Sequence, residues 1–123
     1  MRIPGAKSPP RILVVDDDEA LLRMIRLTLI TEGYAVTTAR DGFEGLAAMA
    51  RAVFALVVLD LQMPRMDGRT MYAEMQRRGS EIPVLLVSAY GAEAAREELR
   101  AAGAVSKPFD TAVLLNRVQA ILS

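Results

Sequence analysis

Acidic residues follow two apolar runs of this sequence and could together bind a cation. Asp16 and Asp17 come directly after the run 12–15, and Asp60 comes directly after the run 54–59. Three carboxylates within a few ångströms of one another repel, which raises the pKa of at least one of them. A divalent cation relieves that repulsion. Because the chain contains no histidine and no cysteine, every ligand would be an oxygen atom, which favours Mg²⁺.

A hydroxyl and an ammonium group follow two further apolar runs. Ser88 comes after the run 83–87, and Lys107 comes after the short run 104–106. The charges of three aspartates, one divalent cation and Lys107 cancel, so an incoming phosphoryl group would meet cations rather than bare negative charge. Ser88 could donate a hydrogen bond to a phosphoryl oxygen. These residue types therefore predict a site for phosphoryl transfer by positioning and electrostatics.

The elements that position these residues alternate between strands and helices. Short apolar runs predict strands, and amphipathic stretches with capping residues predict helices. This alternation predicts an α/β fold in which a parallel, doubly wound sheet has right-handed crossovers. Ligands of such a sheet bind beyond the carboxyl ends of its strands. The predicted strands are 12–15, 34–38, 54–59, 83–87 and 104–106, and the predicted helices are 20–32, from Asp41, from Asp67 to Gly79, 92–102 and from Asp110.

The apolar spacing also predicts how two of these helices pack. The fourth helix has a thin apolar stripe, so we expect it to be the most weakly packed of the five. In the second helix, Asp41 and Glu44 form a pair of the capping-box kind. The residues predicted for its inner face are Phe43, Leu46, Ala47 and Ala50.

Length and composition exclude several classes of protein. The 123 residues suit one domain, and the formal net charge of zero argues against a nucleic-acid binder or a polybasic membrane-surface protein. The longest apolar run, 52–59, is far shorter than a membrane helix. Residues 1–10 have no apolar stretch and are expected to be a flexible tail, with the domain over 11–123. The absence of cysteine fits a cytoplasmic location.

Four motifs in the expected order resemble the receiver domain of two-component response regulators, and most closely the chemotaxis-regulator kind. They lie at 14–17, 60–68, 88–89 and 107–109, and the second follows the specific pattern D-x-x-M-P-x-M-D-G. The resemblance implies a flavodoxin-like fold with five helices and strand order 2-1-3-4-5. It also implies a phospho-accepting switch of a phosphorelay, which phosphorylates and dephosphorylates itself but turns over no external substrate.

The resemblance assigns a phosphoryl acceptor and a metal site. Asp60 would accept the phosphoryl group from a phosphohistidine of a histidine kinase or of a histidine phosphotransfer protein. Asp17, Asp60 and the backbone carbonyl of Gln62 would bind Mg²⁺, with Asp16 assisting through a water molecule. The phosphorylated domain would then change its interactions with a downstream protein, without binding nucleic acid or a membrane directly.

The resemblance also assigns residues around the phosphoryl group. Ser88 and Lys107 would hold phosphoryl oxygens. Gln62 and Tyr90 lie two residues beyond Asp60 and Ser88, at positions that in the family flank the phosphoryl group and tune its hydrolysis. A bulky Tyr90 could shield the acyl phosphate from water. The Lys107–Pro108 peptide bond is expected to be cis.

The chain departs from the family pattern just before Lys107. Ala104 occupies the position of an aromatic residue that normally moves inward when the hydroxyl residue moves. The segment 103–107 is also about three residues shorter than the family pattern when counted from Gly103. We therefore hypothesise that the signal leaves through another element, namely the weakly packed fourth helix.

Two other functions remain open from the sequence. Ala104 favours an interaction module that works without phosphorylation. A phosphatase of the haloacid dehalogenase type also uses aspartate and magnesium, but that family needs a second acid where this chain has Gln62. The sequence names neither the cognate kinase nor the output target. It also leaves open the oligomeric state and whether the domain acts alone or within a larger regulator.

Overall fold

The chain alternates five strands with five helices. The structure is a computed structural model that describes residues 8–123, so most of the predicted tail, residues 1–7, lies outside the described residues. The elements are β1 (Arg11–Val15), α1 (Glu19–Thr31), β2 (Ala35–Ala39), α2 (Gly42–Arg51), β3 (Leu56–Asp60), α3 (Gly68–Arg77), β4 (Val84–Ser88), α4 (Ala92–Leu99), β5 (Gly103–Ser106) and α5 (Thr111–Leu122).

The strands form one parallel sheet in the order β2-β1-β3-β4-β5, which confirms the predicted fold class and strand order. In this order β3 lies at the centre, and β3 and β4 are buried along their whole length. Strands covered on both faces need apolar side chains pointing both ways, which explains their continuous apolar runs. The pairing of Ser88 with Ser106 brings the ends of β4 and β5 level.

Helices cover both faces of the sheet. Leu46 of α2, Met71 and Met75 of α3 and Ala95 of α4 pack in the core on one face. The core on the other face holds three leucine or isoleucine residues of α1 together with Leu114 and Val118 of α5. The sheet is therefore packed between two apolar cores, one on each face, and these cores position the strand ends that carry the polar residues.

Aspartates begin the helices largely as predicted. The carboxylates of Asp18, Asp41 and Asp67 accept hydrogen bonds from backbone N–H groups in the first turns of α1, α2 and α3. Asp110 is a correction, because its side chain makes no capping bond in α5. Its backbone carbonyl instead accepts from two N–H groups of the first turn. The Glu44 carboxylate is a second correction, because it accepts from the Arg40 N–H rather than from that of Asp41.

The predicted inner face of α2 is mostly wrong. Leu46 is buried, but Phe43 is 57% exposed, and both Ala47 and Ala50 are exposed. This helix packs closely through a glycine instead, since a Cβ atom at Gly45 would lie 2.8 Å from the Met71 side chain.

The end of α4 corrects the prediction for the segment before Lys107. The helix ends at Leu99 rather than at residue 102, and Arg100 follows in the left-handed conformation with φ 57°. Gly103 begins β5, one residue before the predicted strand 104–106. Residues 100–102, which were predicted as helix, instead connect α4 to β5. Only Ala92 and Ala95 of α4 are buried, which agrees with its thin apolar stripe, but α5 also buries only two residues, so this does not rank α4 below it.

Candidate functional site

The strands bring polar residues to one edge of the sheet. Asp16 follows β1, Asp60 ends β3, Ser88 ends β4 and Lys107 follows β5. Because neighbouring strands are parallel, their carboxyl ends meet at this edge. The backbone pairing continues past β5, where the Lys107 N–H donates to the Ser88 carbonyl at 2.8 Å. The structure thus brings together residues as far apart in the sequence as Asp16 and Lys107.

Three aspartates lie close enough together to share one cation. One carboxylate oxygen from each of Asp16, Asp17 and Asp60 lies within 4.8 Å of the other two. Asp16 and Asp60 are each only 2% exposed, whereas Asp17 is exposed, so the cluster opens to solvent on the Asp17 side. An all-oxygen donor set that is partly open to water fits Mg²⁺, which binds one or two carboxylates and retains several waters.

Lys107 lies against the two buried carboxylates. Its Nζ atom is 2.9 Å from Asp16 Oδ2 and 3.4 Å from Asp60 Oδ2. Burial lowers the pKa of Lys107, but its hydrogen bonds to these carboxylates and their charges outweigh burial and leave the pKa raised. The ammonium group therefore stays charged and offsets part of the negative charge of the cluster.

The Asp60 carboxyl has a raised pKa. Burial, followed by the negative charge of Asp16, raises its pKa from 3.8 to about 6. The charge of Lys107 and a hydrogen bond from the Gln62 N–H oppose the rise without cancelling it. Because this value describes the metal-free cluster, a bound cation would favour the ionised, nucleophilic form of Asp60.

The Ser88 hydroxyl is buried and already bonded. It lies 2.9 Å from Gln62 Oε1 and 2.8 Å from the Tyr90 carbonyl, and it accepts from the Tyr90 N–H at 3.1 Å. A hydroxyl has one proton, so it donates to only one of the two oxygens at a time. The Tyr90 ring itself is 81% exposed. No motif or spacing in the sequence predicts this hydrogen bond between Gln62 and Ser88, which lie 26 residues apart.

The loop after β3 ends at Gly68, whose backbone lies very close to the backbone of Asp60. The Gly68 N–H donates to the Leu61 carbonyl at 3.1 Å. A Cβ atom at Gly68 would lie 2.2 Å from the Asp60 carbonyl oxygen, which is closer than any side chain permits. Glycine is therefore required where α3 begins, and this explains the last residue of the D-x-x-M-P-x-M-D-G pattern.

Sequence reasoning missed one contact of this loop. Arg65 forms an ion pair with Asp41, which the sequence had marked only as a helix cap. Asp41 is 2% exposed, and a hydrogen bond from the Glu44 N–H, with a further contribution from Arg65, lowers the pKa of its carboxyl against the effect of burial. Nothing in the spacing of Arg65 distinguishes it from the many exposed arginines of this chain.

Two features lie next to Lys107. The Lys107–Pro108 peptide bond is cis, as expected. Ala104 lies in β5 opposite Leu86 and is 8% exposed. A methyl group therefore occupies this buried position of the sheet. Residue 104 has no aromatic ring that could move inward.

Comparison with known proteins identifies the class. The family model for the response regulator receiver domain matches residues 12–119. The chain belongs to this family, whose members are phospho-accepting signalling switches of two-component systems and bind Mg²⁺ at an acidic site of this kind.

Individual relatives agree with that class. The chain is 39% identical over 117 residues to the response regulator MprA of Mycobacterium sp. (strain KMS). The matched region covers 93% of this chain and 51% of MprA. It is 43% identical over 83 residues to the transcriptional regulatory protein GlrR of Escherichia coli (strain K12), and this match covers 68% of this chain and 19% of GlrR. The chain thus spans about half of the first relative and about a fifth of the second.

Solved structures share the fold over nearly the whole chain. The receiver domain of the Francisella response regulator 1452 superposes with a TM-score of 0.85 at 27% identity, covering 92% of this chain and 96% of that one. The response regulator TrrA of Thermotoga maritima, in complex with Mg(2+)-BeF, gives 0.83 at 30% identity, covering 92% and 99%. Among residues 8–123, no helix is long and apolar enough to cross a membrane.

Proposed function

We propose that this domain is a magnesium-dependent switch in which Asp60 accepts a phosphoryl group from a phosphohistidine. The observation that carries the proposal is the buried Asp60 carboxylate, which lies within 4.8 Å of two further carboxylates and 3.4 Å from Lys107. Isolated carboxylates are costly to bury, and a buried acidic cluster with a cationic partner at a strand end favours a functional site.

The metal site is assigned to residues of the first and third strand ends. Asp17, Asp60 and the Gln62 backbone carbonyl would bind Mg²⁺, and Asp16 would assist through a water molecule. The bound ion would supply positive charge that neutralises the carboxylates and the incoming phosphoryl oxygens. The complex of TrrA with Mg(2+)-BeF supports this assignment by similarity.

The transfer step follows from the positions of Asp60 and its neighbours. One Asp60 oxygen attacks the phosphorus atom, the bond from phosphorus to the donor histidine nitrogen breaks, and that nitrogen keeps the electron pair. Lys107 and Ser88 then hold phosphoryl oxygens. Lys107 must give up part of its contact with Asp16, and Ser88 must turn its proton away from Gln62 or Tyr90. Water later hydrolyses the acyl phosphate and restores Asp60.

The output is assigned to α4. The Ser88 hydroxyl is bonded to the backbone of Tyr90, and Gly91 begins the helix in a left-handed conformation without a side-chain cap. When Ser88 donates its proton to a phosphoryl oxygen, that proton is no longer available to the Tyr90 carbonyl just before α4. Because Ala104 offers no ring to carry the change elsewhere, we assign the altered surface to α4 and the loop before it.

The partners follow from this chemistry. The donor would be a histidine kinase or a histidine phosphotransfer protein, the receiver of the signal would be another protein, and both would be cytoplasmic. We assign no direct nucleic-acid or membrane contact to this domain. A panel of purified kinases, each carrying labelled phosphohistidine, would identify the donor by the speed of transfer to the domain.

Phosphorylation by a small donor tests the acceptor directly. Incubation with acetyl phosphate and Mg²⁺ should add one phosphoryl group to the intact mass, and Asp60→Asn should abolish the addition. Asp18→Asn is the matched control, because Asp18 is a neighbouring exposed helix cap and its variant should still be phosphorylated. Beryllofluoride should bind the wild type and not Asp60→Asn.

A second candidate is an interaction module that works without phosphorylation, and Ala104 is the observation that favours it. Failure of the wild type to take up a phosphoryl group from acetyl phosphate and from every kinase in the panel would favour that module over the switch.

A further inference from the structure

An ion pair fastens the loop between β3 and α3 to the start of α2. The Arg65 guanidinium contacts Asp41 Oδ2, while Asp41 Oδ1 accepts from the Glu44 N–H at 2.9 Å. Asp41 is almost fully buried, whereas the Arg65 side chain is 66% exposed. A buried carboxylate left without its cation is costly, so this pair holds the loop more firmly than an ion pair between two exposed groups would.

The backbone links the same two segments beside the ion pair. The Gly42 N–H donates to the Met66 carbonyl at 3.2 Å. A Cβ atom at Gly42 would lie 2.6 Å from the Met66 side chain, so the helix start and the loop are in direct contact. The loop is thus closed by the bond between Gly68 and Leu61 and is fixed to the start of α2 through Arg65 and Met66 in its second half.

Arg65 itself adopts a backbone conformation that disfavours arginine. Its φ of 64° lies in the left-handed region, where glycine is favoured and asparagine is tolerated. An arginine in this conformation costs backbone free energy relative to glycine, and the ion pair to Asp41 is the contact that the structure gives its side chain.

The fastened loop carries a proposed metal ligand. The Gln62 N–H donates to Asp60 Oδ1 at 3.3 Å, and Gln62 lines the same surface groove as Asp17. Arg65 and Asp41 line a second groove, which Asp17 also lines. Asp17 of the acidic cluster therefore lies beside both Gln62 and the ion pair.

We propose that Arg65, paired with Asp41, is a positioning residue for the magnesium site, holding the loop so that the Gln62 carbonyl remains beside Asp17 and Asp60. This inference rests on the proposed function. Neither Arg65 nor Asp41 touches the ion. They act through the backbone that connects them to Gln62, as supporting groups around metal ligands do.

A simple charge effect makes a different prediction, which allows a clear test. If Arg65 acted only as a nearby positive charge, its removal would strengthen binding of Mg²⁺, and removal of the Asp41 charge would weaken it. If the pair positions the loop, both changes weaken binding. Arg65→Asn suits the first change because asparagine tolerates the left-handed conformation. Asp41→Asn suits the second because asparagine can still cap the helix.

The experiment is calorimetric titration of the full chain with magnesium chloride. We expect Arg65→Asn and Asp41→Asn each to weaken binding by roughly tenfold, the lower end of what loss of a supporting group costs, and the double variant to be no weaker than either single one. Arg65→Lys should recover part of the loss. Arg77→Asn is the matched control, because it removes an exposed ion pair to Glu74 on α3 and should leave Mg²⁺ binding unchanged.

A second measurement separates positioning from general loss of folding. Without metal, amide exchange should increase in residues 62–66 of Arg65→Asn while exchange in β1 and β3 stays as in the wild type. Wild-type affinity in both single variants, or tighter binding in Arg65→Asn, would overturn the inference and leave the proposed function standing. A wild type that binds no Mg²⁺ would instead overturn the proposed function and this inference with it.

Discussion

The Ser88 hydroxyl lies 2.9 Å from the side-chain oxygen of Gln62. The group that would hold a phosphoryl oxygen therefore has, besides the Tyr90 carbonyl, an acceptor within hydrogen-bond distance in the residue two positions after Asp60. Gln62 thus has two roles in the proposed switch: its backbone carbonyl would bind Mg²⁺, and its side chain competes with the phosphoryl group for one proton.

Removal of this competitor should favour the phosphorylated form. We expect Gln62→Ala to increase the affinity for beryllofluoride with Mg²⁺ by roughly three- to tenfold, the equivalent of one net hydrogen bond of about 1 kcal/mol. The measurement is a titration followed by tyrosine fluorescence or chemical shifts. In a Ser88→Ala background, the same substitution should have no effect on affinity. An equal gain in both backgrounds would show that Gln62 acts by another route.

The pKa of Asp60 predicts how the stability of the metal-free domain depends on pH. Because the folded-state value of about 6 is higher than the ordinary value of 3.8, the folded state binds more protons between these values, and stability decreases as pH rises through 6. Lowering the pH from 7 to 5 should therefore increase the Asp60 contribution to the unfolding free energy by about 1 kcal/mol.

Urea unfolding in EDTA at several pH values measures this contribution as the difference between the wild type and Asp60→Asn. Saturating Mg²⁺ should abolish the difference in slope, because the ion keeps Asp60 ionised. Parallel pH profiles for the two proteins in EDTA would contradict the predicted shift.

Tyr90 is predicted to protect the acyl phosphate from water. Tyr90 is 81% exposed in this structure, so protection requires the ring to move toward Asp60 when the Ser88 hydroxyl stops donating to the Tyr90 carbonyl. We expect Tyr90→Ala to shorten the lifetime of the phosphorylated domain severalfold, and Tyr90→Phe to preserve it because the ring remains. Decay of the phosphorylated mass over time is the measurement, and an unchanged lifetime in Tyr90→Ala would exclude the shielding role.

The proposed output through α4 predicts a local change in amide exchange. Beryllofluoride with Mg²⁺ should alter exchange in residues 92–102 more than in α5, because α4 buries only two alanines and loses its link to Ser88. Asp60→Asn under the same conditions provides the baseline. If exchange in 92–102 is the same with and without the phosphoryl mimic, the output lies elsewhere.

Arg100 predicts a stabilising substitution. Its left-handed backbone ends α4, and a residue with a Cβ atom in that conformation costs about 1 kcal/mol relative to glycine. Arg100→Gly should therefore raise the unfolding free energy by about 1 kcal/mol, measured by urea unfolding. Arg78→Gly is the comparison: Arg78 ends α3 with an ordinary right-handed backbone at φ −82°, so glycine there should bring no gain.

The sequence predicted the strand ends and the class of fold because both depend on strong local patterns. Apolar runs buried on both faces led to β3 and β4, and polar residues directly after such runs led to Asp60 and Ser88. Alternation with helices predicted a parallel sheet, the family resemblance implied the order of its strands, and the structure confirms both.

The contacts that the sequence could not supply depend on three-dimensional packing. The inner face of α2 was misassigned because the helix packs against Met71 through Gly45. A search for regularly spaced apolar side chains does not detect a contact made by glycine, which has no side chain. The pair of Arg65 and Asp41 joins residues 24 positions apart through an arginine in a rare backbone conformation. Hydrogen bonds of Ser88 likewise depend on rotamers that no spacing rule specifies.

The early end of α4 leaves residues 100–102 as a connection between the helix and β5. Ala104 is the third residue before Lys107, so its assignment does not depend on where Gly103 is placed. A comparison of this chain with its relatives is therefore better anchored on the Lys107–Pro108 pair, which follows the strand, than on Gly103, which begins it.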